Sequence, residues 1–290
     1  MMRLTLTAVA SFAILVPVFA RVEPRPDDDP GFSVLVFSKT AGFRHDSIPD
    51  GIAAIQQLGA DHNFSVVATE DDAQFTDDNL ANYAVVLFLN TTGTVLDDTE
   101  KAAFTRYIES GGGFVGIHSA TDTEYEWPWY GQLVGAYFHD HPQIQQATVD
   151  VVDQQHPSTA DLPALWTRTD EWYNFQTNPR GSVHVLAVLD ETTYDGGTMG
   201  DHPISWCHEF DNGRSWYTEL GHTQQTYSEP LYLSHILGGI RYGASAVPGD
   251  CTPDAADPLR SSRRAGHLRF QLNRQIDKFL RAGGAASIRD

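Results

Sequence analysis

Cysteine is nearly missing from this chain: only Cys207 and Cys251 occur in 290 residues. There is no Cys-x-x-Cys pair, and none of the 12 histidines falls in a helical His-x-x-x-His pattern. The two motifs most diagnostic of a zinc site are thus absent. In an oxidising compartment the two cysteines can form one disulfide; otherwise Cys207 reads as buried and Cys251 as exposed. Basic residues are also scarce, with 19 Lys and Arg against 38 Asp and Glu, a formal net charge of −19. No basic stripe is left to meet a polyanion, which excludes nucleic-acid and anionic-membrane binding.

What is present begins with an export signal. Arg3 gives a short positive region, Leu4 to Val18 is apolar, and Val18-Phe19-Ala20 offers small residues to a signal peptidase. The run is too short and wrongly flanked for a membrane span. Residues 1–20 therefore read as a signal peptide cleaved near Ala20, for a secreted or periplasmic protein. The Pro- and Asp-rich stretch 21–31 reads as a disordered leader.

Apolar strands then alternate with helical segments. Strands are expected at Ser33–Phe37, Phe64–Ala68, Tyr83–Leu89 and Phe114–Ile117, and a helix at Leu96–Ser110 with Asp97 as N-cap. Such alternation implies a parallel sheet wound by right-handed crossovers. The second half offers strands at Val149–Val152, Val183–Leu189, Ile204–Phe210 and Ser215–Thr218, the last two joined as a hairpin by Asp211-Asn212-Gly213-Arg214. Pro230–Tyr242 closes the domain as an amphipathic helix. Residues 244–290 read as a C-terminal extension, partly helical or disordered, with a basic amphipathic stretch at Leu268–Leu280.

Ligands of open α/β sheets gather beyond the carboxyl ends of strands. Past the fourth strand stands His118, followed by Ser119, Thr121 and Asp122. Past the first lie Arg44 and His45, and past the third Asn90 and Thr92. Glu171, His202 and His222 also fall at strand boundaries. His45, His118, His202 and His222 sit where separate loops can converge, either on a divalent metal or as a metal-free acid–base set. We expect His118 and His45 as base or ligand, Glu171 as a second acid or base, and Asp122 as the group orienting His118. Aromatic faces with interleaved acids suit sugars, so Tyr125, Trp129 and Trp172 join Arg44, Asn90 and Thr92 as candidate substrate contacts. Ser119 lacks the flanking glycines of a nucleophile elbow, which argues against a serine hydrolase.

Six segments together resemble the ThuA-like, trehalose-utilisation family of the class I glutamine amidotransferase-like superfamily. They are KTAGFRHDSI (39–48), GGGFVGIHSATD (111–122), WYGQLVGAYFHDHP (129–142), DEWYNF (170–175), DHPISW (201–206) and GRSWYTELGH (213–222). The resemblance implies a flavodoxin-like α/β three-layer sandwich over 32–243, with a mostly parallel central sheet and an added β-hairpin. It also places His118 where amidotransferases carry their cysteine elbow, which removes thioester chemistry. The expected function is acid–base conversion of a sugar or keto-glycoside, by elimination, hydrolysis or isomerisation. The alternative is a non-catalytic carbohydrate-binding module on a degenerate scaffold. A small carbohydrate is the expected partner, and a homo-oligomer is compatible with the sequence.

Overall fold

The computed structural model describes residues 31–253. The expected signal peptide, nearly all of the expected leader, and the chain beyond residue 253 lie outside the described residues. The parallel part of the fold is built from β1 (Phe32–Phe37), α1 (Ile48–Asp61), β2 (Phe64–Thr69), α2 (Asp77–Leu80), β3 (Val85–Leu89), α3 (Asp98–Glu109) and β4 (Gly113–Ile117). There follow α4 (Pro128–Val134), β5 (Phe138–Asp140), β6 (Gln145–Val151), β7 (Leu165–Asp170), β8 (Asn174–Phe175), β9 (His184–Asp190), β10 (Pro203–Phe210), β11 (Gly213–Thr218) and α5 (Pro230–Gly243).

One nine-stranded sheet runs β2-β1-β3-β4-β11-β10-β9-β6-β7, while β5 and β8 pair separately. The five strands from β2 to β11 are parallel. From β11 outward, four successive antiparallel pairings follow. This is the expected α/β sandwich, with the added hairpin β10–β11 extended by further strands. Because four antiparallel steps restore direction, β7 points the same way as β4 and β11. The carboxyl ends of β1, β3, β4, β11 and β7 therefore all open on one edge of the sheet.

Alternation within each strand explains the layers, since successive side chains leave a strand on opposite faces. Val34 and Val36 join Ile55 and Leu58 of α1 and Ile236 and Ile240 of α5. Leu35 and Phe37 face the other way, onto Leu80 of α2, Phe104 of α3 and Tyr130 of α4. Helix α3 starts where expected: Asp97 accepts from Thr99 and Glu100 amides, and Glu100 accepts in return from the Asp97 amide. The hairpin turn places Asp211 and Asn212 at φ +51° and +83°, the left-handed pair a tight turn between twisted strands needs. Gly113 cannot be replaced, because a Cβ there would stand 2.1 Å from the Gly243 carbonyl oxygen, where α5 crosses β4.

Sequence reading missed β7, α4 and the short β5–β8 pair. The inward residues of β7 are Trp166, Arg168 and Asp170, so no aliphatic alternation marks the strand. Cys207 and Cys251 form a disulfide that fastens the segment after α5 to β10.

Several histidines are buried as neutral structural groups. His235 donates from Nδ1 to the Ser158 carbonyl (2.8 Å) and accepts at Nε2 from Thr218 Oγ1 (3.0 Å). Burial lowers its pKa from 6.5 to about 3, with the Arg168 charge adding to the effect. The unfolded chain thus binds one more proton than the folded one between those values, and stability falls as pH drops below 6.5. His235→Gln is expected to flatten the pH dependence of urea-unfolding free energy by up to about 1.4 kcal/mol per pH unit between pH 6 and 4. Parallel wild-type and variant slopes would refute this.

Candidate functional site

His118 follows β4 directly, and the chain must turn there to enter the short 3-10 segment His118–Asp122. Its φ is +52°, a left-handed backbone that a side chain with a Cβ adopts at a cost of about 1–3 kcal/mol. The ring is fully buried and held from two sides. Nδ1 donates to the Glu219 carbonyl oxygen at 2.6 Å, beyond the end of β11. That bond fixes the proton on Nδ1 and leaves Nε2 bare in the neutral ring. Tyr173 stacks on the imidazole, with centroids 4.5 Å apart, and its hydroxyl donates to Nε2 at 2.9 Å.

Three further groups converge on Nε2 from three other loops. His222 Nδ1 lies 3.1 Å from it and 2.9 Å from Glu171 Oε2. Glu171 Oε2 is itself 3.4 Å from His118 Nε2. His45 packs edge-on against both rings, at 4.8 Å from His118 and 5.0 Å from His222. One donor atom from each of His45, His118, Glu171 and His222 lies within 4.8 Å of all the others. His141, half-exposed, closes the group, with Nδ1 bonded to the Pro142 carbonyl and 3.1 Å from Glu171 Oε1.

The charges follow from this packing. His45 is pushed down to about 2 by burial and by His118 and His222 beside it, so it is neutral. Burial opposes the Glu171 charge, yet its bonds with His118 and His222 win and hold its carboxyl well below the usual range. Burial lowers the pKa of His222, but the Glu171 carboxylate outweighs it and leaves that pKa raised. Glu171 is therefore an anion, suited to act as a base or an anionic ligand.

Asp170, buried at the end of β7, sets the positions of two of these groups. Its Oδ1 accepts from the Glu171 amide (3.0 Å) and the His222 amide (3.1 Å). Its Oδ2 accepts from Arg168 Nη2, the Gly221 amide and Thr226 Oγ1.

Other expected residues take different places. Asp122 does not orient His118; its Oδ1 accepts from Tyr125, so that both are occupied with each other. His202 stays outside the cluster, with Nε2 donating to the Tyr173 carbonyl at 2.6 Å and Nδ1 against Glu191 and Tyr194. Asn90 is buried, donating to Ser47 Oγ and the Gly221 carbonyl, and Thr92 clamps the loop at Phe43. Arg44 pairs with Glu70. Trp172 is core, and Trp129 donates to Asp211 at the hairpin turn, the opposite end of the sheet. Tyr173 and His141 were missed as site residues, although both fall within the segments quoted above.

A family model described as "Trehalose utilisation", ThuA, matches residues 33–243. The chain belongs to the ThuA family. Among solved structures, a ThuA-like protein of Bacteroides uniformis is 25% identical, with a TM-score of 0.65 over 74% of this chain and 92% of its own. A ThuA-like protein of Parabacteroides merdae is 18% identical, with a TM-score of 0.63 over 78% and 96%. A β-galactosidase of Bacillus circulans shares the fold at a TM-score of 0.51 and 14% identity, over 77% of this chain and 32% of its own. No curated protein matches the chain. ThuA membership gives the protein a sugar-related role, and its cluster of three histidines and a glutamate is able to hold a metal ion.

Replacing Asp170 with Asn puts an amide nitrogen among donors that need an acceptor. Asp170→Asn should lower the unfolding free energy by about 3 kcal/mol, read from urea curves. A loss below about 0.5 kcal/mol, the level of a neutral surface change, would contradict the assigned role.

Proposed function

We propose that the protein is an exported, sugar-active enzyme whose acid–base chemistry is assisted by a divalent cation held by His45, His118, Glu171 and His222. The carrying observation is the convergence of those four donor atoms within 4.8 Å. Three imidazoles and one carboxylate suit a first-row divalent ion, and the Nδ1 bond of His118 to a carbonyl is the usual support of a ligating ring. When bound, such an ion supplies a Lewis acid and an activated water near neutral pH.

The chain's own groups do the rest. Burial, with the Glu171 charge adding to it, keeps the Tyr173 phenol protonated, and its hydroxyl, which donates to His118 Nε2, becomes free to donate to an entering oxygen once that nitrogen takes the ion. His141 reaches both Glu171 and solvent, which suits a group that passes protons between substrate and water. Elimination, isomerisation or hydrolysis of a sugar or keto-glycoside each needs such a donor and such a carrier. The Cys207–Cys251 disulfide supports an oxidising, extracytoplasmic location. A pure binding module has no use for the strained His118 backbone or four converging ligand-type groups, so catalysis is the preferred reading.

Elemental analysis of purified protein should find one divalent ion per chain. His118→Ala and His222→Ala are expected to lose it, whereas His202→Gln keeps it. Sugar turnover should disappear with His118→Ala while the far-UV circular dichroism is unchanged. Metal-free wild-type protein, or full turnover by the His118 variant, would overturn the proposal.

A further inference from the structure

The aromatic residues expected to receive a sugar do not border the cluster, but another ring does. Phe43 is 65% exposed, the one aromatic among the large apolar side chains left in solvent in the described residues. Its ring meets His45 edge-on, with centroids 4.9 Å apart. The loop carrying it is clamped rather than loose. The Ala41 amide donates to the Thr92 carbonyl, the Gly42 amide to Thr92 Oγ1, and Thr92 Oγ1 donates to the Phe43 carbonyl. A phenyl ring fixed in water at the edge of a polar site gains nothing from its own fold, since its apolar face is not buried there.

The same loop restricts the charge of what can bind. Lys39 is paired with Asp72 and Arg44 with Glu70, so neither is spare for a phosphate or carboxylate. His222 is matched by Glu171, and the chain as a whole is strongly acidic. We propose that Phe43 is the platform for the C–H face of an uncharged sugar ring, whose oxygens then meet His45 and His222. This rests on the sugar-active reading above and narrows it to neutral rather than phosphorylated sugars. Stacking of an apolar ring face on a phenyl ring adds to area burial, and carbohydrate recognition combines such a face with a few polar groups.

The test uses full-length protein, with trehalose, methyl α-glucopyranoside and glucose 6-phosphate as probes in titration calorimetry and saturation-transfer NMR. Phe43→Ala should weaken binding of the neutral sugars by about tenfold, the order expected for one lost aromatic contact. Phe43→Trp should retain binding, and Phe43→Leu should fall between. The metal content of all three should match wild type, because Phe43 supplies none of the four donor atoms. Glucose 6-phosphate should bind no more tightly than methyl α-glucopyranoside. Unchanged affinity in Phe43→Ala, tighter binding of the phosphate, or loss of a dimer in gel filtration with Phe43→Ala would each overturn the platform. Wild-type protein that binds none of the sugars would overturn the sugar reading itself, which separates the two failures.

Discussion

The Asp170 carboxylate accepts from five donors, and the site depends on that arrangement. Two are the amides of Glu171 and His222, residues 51 positions apart in the chain, both on Oδ1. The others come from Arg168, Gly221 and Thr226. An ionised carboxylate taken out of water costs several kcal/mol, which only a full set of donors and a cation offsets. Arg168 supplies the cation, and its guanidinium is in turn sandwiched near Trp166 and Tyr232, at 4.7 and 5.5 Å from their ring centres. The outermost strand of the sheet is thus tied to the loop after β11, across three intervening strands. Without that tie, the long antiparallel excursion from β5 to β10 would have no reason to return Glu171 to His118.

A second constraint concerns which acids carry charge. Glu219 follows β11 and is fully buried, with its Oε1 accepting from the Tyr173 amide and its Oε2 without a partner. Burial raises its pKa well above the ordinary value, and the Asp170 and Glu171 charges add to this. Its carboxyl is therefore neutral, while its backbone carbonyl orients His118. One residue thereby contributes a fixed dipole to the cluster and withholds a third negative charge from it. Glu171 is then the main group that raises the pKa of His222, with Asp170 and Asp46 adding to it.

Much of this was legible in the sequence where local physics decides. The buried parallel strands, the α3 capping box and the Asp211–Asn212 turn each express a preference of a few adjacent residues, and the structure follows them. His45, His118 and His222 were legible for a related reason, since each stands past a strand whose end could be recognised, whereas Glu171 follows β7, which was not. His202 instead precedes a strand, β10, and it faces Tyr173 and Glu191. For Trp129 and Trp172, aromatic character was visible, but whether a ring lines a cleft or fills a core is a property of the assembled sheet. Strand β7 was hidden because its buried face is Trp, Arg and Asp, a pattern made stable only by partners remote in sequence.

The backbone at the end of β4 gives the remaining step. Its left-handed turn at His118 sets one of the two imidazole nitrogens against the neighbouring strand end. Here that neighbour is β11, and the Glu219 carbonyl takes the Nδ1 proton. The orienting bond leaves a single lone pair facing the loops, the arrangement of a ring able to hold a metal ion. His45, Glu171 and His222 can converge on that lone pair only because β1, β4, β11 and β7 all end on the same edge. The chemistry open to the site therefore follows jointly from the histidine at the end of β4 and from the even number of antiparallel steps between β11 and β7.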